Sequence, residues 1–404
     1  MRLKHFLDVN KTDYSMTKDA SSAKGTSAPA AATGVIARAK PSKLSRIAIS
    51  LLGPDIEHRD SLRAMLHGRV SSLSLIPDSP TFRRCQGKNT QNRFSRVLDQ
   101  IWGTREAQYL DLAIKTLDRC GSSLIIAFWG TMPLPDLVAL KKARPKVKTI
   151  LMVLCYPLAL EGQGIRRQGL FMRRASRFLD GVIYPSHEMA DYFSDSVRTK
   201  QDLPSVVIPP CWPANFQGLV RPEPLAQTPN LVYTGRTDLA ARTIHAADDL
   251  RSLMRAILDS GIDLHHCYSA ETDDGHPRRK PFRPMSLPDL IQKMASFDAS
   301  LIAYNTGACP RADRFELTIP DRLITSVAAG VPVAIPKQGY SAAKSYLKDY
   351  PAVIQFDSPD NLRKAISDRQ CVDDLRNAAW SARQRYAAEQ YSARLVAFLE
   401  RVSA

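Results

Sequence analysis

The sequence predicts an α/β protein made of two doubly wound, parallel-sheet domains that face a cleft. Short continuous apolar runs alternate with helical patterns, which is typical of parallel strands covered by helices on both faces. With 404 residues, the chain is long enough for two hydrophobic cores. A proline-rich stretch at residues 211–229 divides the two series of elements. We therefore expect a linker there and one domain on each side of it.

The first domain is expected at residues 46–210. Its expected strands are residues 46–53, 70–76, 123–129, 149–154, 181–185 and 205–208. Helical patterns cover residues 59–67, 97–117, 164–179 and 187–193. Ser186 is a suitable N-cap for the last of these helices. Residues 1–45 are rich in Ala, Ser, Thr and Lys, and a segment of this composition cannot bury enough apolar surface to order itself, so we expect a disordered tail.

The second domain is expected at residues 230–371. Its expected strands are residues 230–236, 262–268, 299–304, 331–335 and 352–356. Helical patterns cover residues 244–260, 287–297, 342–348 and 359–367, and residues 271–284 suggest a polar, basic loop. Residues 372–404 contain two further helical patterns, and we expect these last helices to pack back on the first domain.

A helix followed at once by a buried strand is expected at residues 316–335. Thr318 is the expected N-cap, and Gly330 ends the helix. The periodicity leaves Arg322 and Thr325 facing outward near the start of the helix. A helix N-terminus that carries an arginine is suited to hold a phosphate group.

The same stretch carries a resemblance to a known family. Residues 320–333 read Pro-Asp-Arg-Leu-Ile-Thr-Ser-Val-Ala-Ala-Gly-Val-Pro-Val, which resembles the nucleotide-sugar-binding segment of glycosyltransferases with the B-type (GT-B) fold. In that pattern a glutamate that often holds the donor's ribose stands where this chain has Thr325. Residues 180–186 and 207–210 resemble segments of the family's first domain. The resemblance implies two Rossmann-like domains between about residues 46 and 404, with the donor held by the second.

The resemblance and the positions at strand ends together select the candidate donor site. Gly235 would let backbone N–H groups approach an anion, and Arg236 and Arg322 would neutralise its charge. Tyr304 would stack on a base or sugar, or close the core, and Asn305 would hydrogen-bond the ligand. Paired glutamates eight positions apart are common in this region of the family; Glu316 could stand for the first, but position 324 is Ile. The set of expected donor-binding residues is Gly235, Arg236, Tyr304, Asn305, Glu316, Arg322 and Thr325.

Glycosyl transfer needs stabilisation of the leaving diphosphate and, in an inverting enzyme, a base beside the acceptor. Candidates for the base follow strands of the first domain: Asp55, His58 and Glu161. The two arginines could stabilise the leaving group without a metal, so we expect neither a metal nor another cofactor. The sequence contains no dinucleotide-binding Gly-x-Gly-x-x-Gly motif and no P-loop.

Composition bears on location and partners. The 7 cysteines are widely spaced without a Cys-x-x-Cys pair, which favours a reducing, cytoplasmic compartment. The formal net charge of +16 fits anionic lipid, nucleotide or nucleic acid, but no nucleic-acid-binding motif is present. Residues 164–179 combine arginines with Leu170 and Phe171. This pattern fits either a core helix with a solvated basic face or peripheral contact with an anionic membrane.

The sequence therefore predicts a glycosyltransferase that uses a nucleotide-sugar donor and a glycan, lipid-linked or other acceptor. Two alternatives remain open. A nucleotide-sugar epimerase shares the architecture and would interconvert free nucleotide sugar without an acceptor. A non-catalytic scaffold subunit is favoured by Thr325 in place of glutamate, and it would not hydrolyse a donor.

Overall fold

The computed structural model describes residues 47–54, 56–77, 104–158, 162–200, 202–217, 226–235, 246–267, 275–309 and 313–404. The expected tail and the expected site residues Asp55, Glu161 and Arg236 lie outside these ranges. No helix in the described ranges is long and apolar enough to cross a membrane.

The first half of the chain forms a six-stranded parallel sheet with the strand order β2-β1-β3-β4-β5-β6. The strands are β1 (Ala48–Leu52), β2 (Ser72–Leu75), β3 (Leu124–Phe128), β4 (Lys148–Met152), β5 (Gly181–Tyr184) and β6 (Ser205–Val207). All residues of β1, β3 and β5 are buried, as expected for strands covered on both faces.

Helices connect these strands. They are α1 (His58–Leu66), α2 (Thr104–Cys120), α3 (Leu134–Ala143), α4 (Gly162–Ala175) and α5 (His187–Tyr192). The Ser186 side chain accepts a hydrogen bond of 3.1 Å from the Met189 N–H, which confirms the expected cap of α5. Helix α3 was not expected, because prolines at the start of a segment are typical of a loop. One proline precedes the helix and another lies in its first turn, where no backbone N–H is needed.

The second half forms another six-stranded parallel sheet, with the order β12-β11-β10-β7-β8-β9. Its strands are β7 (Asn230–Tyr233), β8 (Asp263–Cys267), β9 (Arg279–Phe282), β10 (Ala299–Leu301), β11 (Val333–Pro336) and β12 (Val353–Phe356). The expectation of a loop throughout residues 271–284 is wrong, because β9 pairs with β8 in this region. Two of its four residues, Lys280 and Pro281, are exposed, which is typical of an edge strand.

The helices of the second half are α6 (Arg251–Asp259), α7 (Leu287–Met294), α8 (Asp313–Leu317), α9 (Asp321–Ala329), α10 (Ser341–Tyr346) and α11 (Pro359–Ser367). Helix α9 is the one expected before the buried strand, and it ends as predicted at Gly330, whose φ is 64°. Thr318 does not cap it. The N-cap is Pro320. Helix α8, which was not expected, extends to Leu317, and the Thr318 N–H donates a hydrogen bond to the last turn of that helix.

The chain ends in helices α12 (Arg369–Ala382) and α13 (Ser392–Ser403). Helix α13 returns to the first sheet, where Phe398 and Leu399 share a hydrophobic cluster with Ile49 and Leu51 of β1. Helix α12 instead contributes Ala379 to a cluster of the second half. The final segment therefore contacts both halves of the molecule.

Strand order reverses between β1 and β3 in the first sheet and between β7 and β10 in the second. Ligands of open α/β sheets bind beyond the carboxyl ends of strands at such switch points. After β3 the chain turns sharply through Trp129 and Gly130, both with positive φ. A Cβ atom at Gly130 would lie 2.5 Å from the carbonyl oxygen of Cys155, so this turn requires glycine.

Candidate functional site

Arg322, in the first turn of α9, lies against the carboxyl ends of β7 and β10. Its Nη1 donates hydrogen bonds of 2.8 Å to the Tyr233 hydroxyl and 3.1 Å to the Ala303 carbonyl. The guanidinium also lies 4.1 Å from the centroid of the Tyr304 ring. Only 9% of the side chain is exposed. The expectation that Arg322 faces outward is wrong, because aromatic faces and acceptors from these two strand ends surround it.

The buried guanidinium stays charged. Burial by itself lowers the pKa of Arg322, but its interactions with two tyrosines and Asp248 outweigh burial and hold the pKa above its usual value. Arg322 Nη2 lies 4.0 Å from Asp248 Oδ1, which is beyond hydrogen-bond distance. The site therefore holds a fixed positive charge whose pairing with Asp248 is loose.

Gly235 lies next to the Arg322 guanidinium. A Cβ atom at Gly235 would lie 2.0 Å from the Tyr233 hydroxyl oxygen and 2.6 Å from Arg322 Nη1. Any larger residue would displace one of these groups. Glycine was expected here for the approach of backbone N–H groups to an anion; the structure gives a further reason, which is room for the contact between Tyr233 and Arg322.

Tyr304 and Asn305 follow β10 at the same edge. Tyr304 stacks on Arg322, and its N–H donates a hydrogen bond of 2.7 Å to the hydroxyl of Tyr340. Burial raises the pKa of Tyr340 to about 12, so this hydroxyl remains protonated at neutral pH. The Asn305 N–H donates to the carbonyl of Ala247. Both residues therefore lie at the carboxyl edge of the second sheet, and the guanidinium is the stacking partner of the tyrosine.

Glu316, on α8, holds the turn that precedes α10. Its Oε2 accepts hydrogen bonds from the Ser341 N–H at 3.0 Å and the Ser341 hydroxyl at 2.6 Å. Gly339 and Tyr340 in this turn have positive φ values of 73° and 63°. Because Tyr340 in turn bonds the backbone of Tyr304, the carboxylate supports the cluster around Arg322 through this turn.

Thr325 does not face outward as expected. It is 4% exposed, and its Oγ1 accepts a hydrogen bond of 3.1 Å from the indole Nε1–H of Trp212. The same hydroxyl donates to the carbonyl of Asp321 at 2.8 Å. Thr325 thus joins α9 to the segment between the two sheets, and its hydroxyl is engaged within the protein.

His58 begins α1 of the first half and reaches α9 of the second. Its Nε2 lies 3.1 Å from Asp321 Oδ1. The imidazole ring is 4.7 Å from the Trp212 ring and 5.8 Å from the Trp129 ring, centroid to centroid. His58 is 4% exposed, whereas Asp321 is 52% exposed. Within the described ranges, Asp321 is the hydrogen-bond partner recorded for this ring.

Sequence reasoning selected His58 but missed Asp321, which is 263 positions away. It also missed Arg314, on α8, whose pKa is raised chiefly by the thiol of Cys155 after β4. Arg314 interacts with Tyr304 and Asp248 as well. The signal available for both was their position in residues 313–322, the segment that also carries Arg322.

The candidate site therefore combines a cationic cluster at the second sheet with a histidine of the first. One helix turn contributes to both, since Asp321 and Arg322 are adjacent. In the described part of the chain, no group of three or more His, Cys, Asp or Glu side chains is arranged to hold a metal ion.

The fold matches solved glycosyltransferase structures over most of its length. The HepE protein of Anabaena, solved in complex with UDP, is 14% identical and has a TM-score of 0.57 over 88% of this chain and 100% of its own. Sucrose-phosphate synthase of Thermosynechococcus elongatus is 11% identical, with a TM-score of 0.57 over 88% and 99%. The α,α-trehalose 6-phosphate synthase of Burkholderia multivorans is 10% identical, with a TM-score of 0.56 over 89% and 99%.

No protein-family model matches the sequence, and a comparison with curated proteins gives no match. At 10–14% identity the structural matches establish the fold. The predicted architecture, two Rossmann-like domains of the GT-B type, is confirmed.

Proposed function

We propose that this protein is a glycosyltransferase that transfers a sugar from a nucleotide-sugar donor to an acceptor. The donor is assigned to the second domain, residues 230–371, and the acceptor to the first, residues 46–210. The observation that carries this proposal is the adjacency of Asp321 and Arg322. Asp321 pairs with His58 of helix α1 in the first half, and Arg322 fixes a positive charge at the second sheet. Solved GT-B proteins with bound UDP and UDP-glucose support a nucleotide-sugar ligand.

Arg322 is assigned to the diphosphate of the donor. A phosphate oxygen would give the guanidinium the close anionic partner that Asp248, at 4.0 Å, does not supply. A charge-assisted hydrogen bond of this kind contributes about 1.5–3 kcal/mol. The same charge would stabilise the leaving nucleoside diphosphate as the glycosidic bond breaks. With this cation in place we propose metal-independent transfer, which predicts that a chelator leaves the activity unchanged.

His58 is assigned as the base. If Asp321 accepts the Nε2–H hydrogen bond, Nδ1 carries the lone pair that can take a proton. The proton of the acceptor hydroxyl would pass to Nδ1 while the acceptor oxygen bonds to the anomeric carbon. The bond from that carbon to the diphosphate breaks, and its electron pair leaves with the diphosphate. This sequence inverts the configuration of the transferred sugar.

Groups from both halves of the chain surround His58 and hold its ring in place. Asp321 supplies a negative charge at 3.1 Å, and two tryptophan rings lie within 5.8 Å of the imidazole. Trp212 and Thr325 are positioning residues in this assignment, because they act on the histidine and on the backbone of Asp321.

Replacing His58 with glutamine tests the assignment. General-base catalysis contributes about 10²–10⁴-fold, so His58→Gln should lower kcat for donor hydrolysis by that factor and leave the nucleoside diphosphate Kd unchanged. The measurement is nucleoside diphosphate release from a panel of nucleotide sugars. His67→Gln is the control, since His67 is exposed at the end of the same helix. An unchanged kcat in His58→Gln would refute the role of His58.

A non-catalytic scaffold remains the second candidate. It is favoured by Thr325, whose hydroxyl is engaged with Trp212, and by Arg322, which already bonds Tyr233. A scaffold would release no diphosphate from any nucleotide sugar, in the wild type or in His58→Gln. An epimerase would convert the free nucleotide sugar into its epimer without an acceptor, which chromatography of the same reaction mixtures would show.

A further inference from the structure

Helix α4 presents a basic face that the proposed chemistry does not use. Its core side is held by Ile165, Met172 and Ala175, all buried. The opposite side is exposed and consists of Arg166, Arg167, Leu170, Arg173 and Arg174, and Arg177 continues it beyond the helix. We call these residues the α4 face.

The arrangement of the α4 face differs from a random scatter of surface charge. At 3.6 residues per turn, the five exposed positions 166, 167, 170, 173 and 174 fall within about 120° around the helix axis, and Leu170 lies near the middle of that arc. Leu170 is 42% exposed and is one of two large hydrophobic residues with high exposure in the described ranges. Arginines therefore flank an exposed leucine on both sides.

The positive charge of this face is not balanced locally. Residues 162–179 contain no aspartate or glutamate. Of the two acidic residues that flank this segment, Glu161 lies outside the described ranges, and Asp180 accepts a hydrogen bond of 2.8 Å from Lys141. The whole chain also carries a formal charge of +16, which adds a long-range attraction for anionic surfaces.

The position of α4 connects this face to the cleft. The helix follows β4 in a parallel sheet, so it begins at the carboxyl edge, where the acceptor is assigned. A surface seated on the α4 face would therefore lie next to the opening of the first domain.

We infer that the α4 face binds an anionic phospholipid surface. Arginines bind the negatively charged headgroups, while Leu170 enters the boundary between headgroups and acyl chains. Phe171, half-buried beside it, extends the apolar contact. Nucleic acid would use the same arginines but gains nothing from an exposed leucine in their centre, so the leucine distinguishes the two partners.

Vesicle co-sedimentation of the full chain tests this inference. The wild type should bind phosphatidylcholine vesicles that contain phosphatidylglycerol and should not bind vesicles of phosphatidylcholine alone. Binding should weaken as salt rises, because surface charges are screened over about 10 Å at 0.1 M and about 3 Å at 1 M. No binding to the anionic vesicles at low salt would overturn the inference.

Variants locate the contact. Each arginine near the surface is expected to contribute about fivefold in affinity, so Arg173→Gln with Arg174→Gln should weaken binding on the order of 25-fold. Leu170→Ser should weaken it about tenfold. Helix α2 supplies matched controls: Lys115→Gln with Arg119→Gln removes the same charge, and Leu112→Ser removes the other exposed leucine, which is 49% exposed.

These variants separate the outcomes. Equal losses in the α2 and α4 variants would mean that total charge, and not the α4 face, drives binding. Full retention of binding in Leu170→Ser, together with displacement of the vesicles by duplex DNA, would identify a nucleic-acid surface and overturn the inference. Nucleoside diphosphate binding in the same variants reports folding of the cleft independently, so a failed vesicle test leaves the proposed transferase activity untouched.

Discussion

Arg322 and the arginines of the α4 face carry the same guanidinium group in opposite surroundings. Arg322 is 9% exposed and is fixed by a hydroxyl, a carbonyl and an aromatic ring. The arginines of the α4 face are exposed, and their charges reach the solvent. A fixed, desolvated charge can select one small anion with defined geometry, whereas mobile, solvated charges suit an extended anionic surface.

Arg322 and the arginines of the α4 face also contribute differently to the stability of the folded protein. Arg322 supplies donors to Tyr233 and Ala303, so its removal deletes two hydrogen bonds at the ends of buried strands. The exposed arginines of α4 can be replaced without such a cost, since water takes over their hydrogen bonds. Folding and function are therefore coupled at Arg322 and separable on α4.

The largest expected effect follows directly from this difference. Arg322→Gln should lower the free energy of unfolding by about 2–4 kcal/mol, because the hydrogen bonds and the contact with Tyr304 are lost. Arg173→Gln should stay within about 0.5 kcal/mol of the wild type. Urea denaturation measures both. Similar values for the two variants would contradict the distinction between buried and exposed arginine.

A smaller effect is expected when Arg322 is retained but its side chain is shifted from its position. Gly235→Ala places a Cβ atom against Tyr233 and Arg322, and such overpacking costs about 1–3 kcal/mol. We expect a loss of this size in diphosphate affinity by calorimetry. Gly307→Ala is the control, because the closest atom recorded for its Cβ is 4.0 Å away, on Asn305. Equal affinity in Gly235→Ala and the wild type would show that the position of Arg322 does not matter for binding.

The smallest effect on stability is expected where Thr325 of α9 contacts Trp212. Thr325→Val leaves the buried indole N–H of Trp212 without its acceptor, which should cost about 1–2 kcal/mol of stability. Differential scanning calorimetry and tryptophan fluorescence would report the change. In Ser381→Ala, which loses an exposed hydroxyl bonded within its own helix, we expect no measurable shift. A Thr325→Val protein as stable as Ser381→Ala would remove Trp212 from the set of contacts that position α9.

Local patterns predicted much of the architecture. The apolar runs of β1 and β3, the Ser186 cap and the end of α9 at Gly330 depend on neighbouring residues, which the sequence displays directly. Strand β9 escaped prediction because an edge strand needs little apolar content. Helix α8 escaped as well, and its presence removed Thr318 from the cap of α9.

The orientation of site residues could not be predicted in the same way. Helical periodicity placed Arg322 and Thr325 outward, but both turn to aromatic partners that are distant in sequence, Tyr233 and Trp212. The pairing of His58 with Asp321 likewise spans the two sheets. Such contacts depend on how the two domains pack together, and a single sequence carries no information about that packing. The proximity of Gly235 to Arg322 was accessible because parallel strands of one sheet end at a common edge.

The central claim is that the buried arginine, and not the exposed basic face, binds the donor diphosphate. The most direct measurement is calorimetric titration with UDP, GDP and ADP of the wild type, Arg322→Gln, and the double variant Arg173→Gln with Arg174→Gln. The account predicts that at least one diphosphate binds the wild type, that Arg322→Gln weakens it about 10- to 100-fold, and that the double variant keeps wild-type affinity. Unchanged affinity in Arg322→Gln, or an equal loss in the double variant, would contradict it.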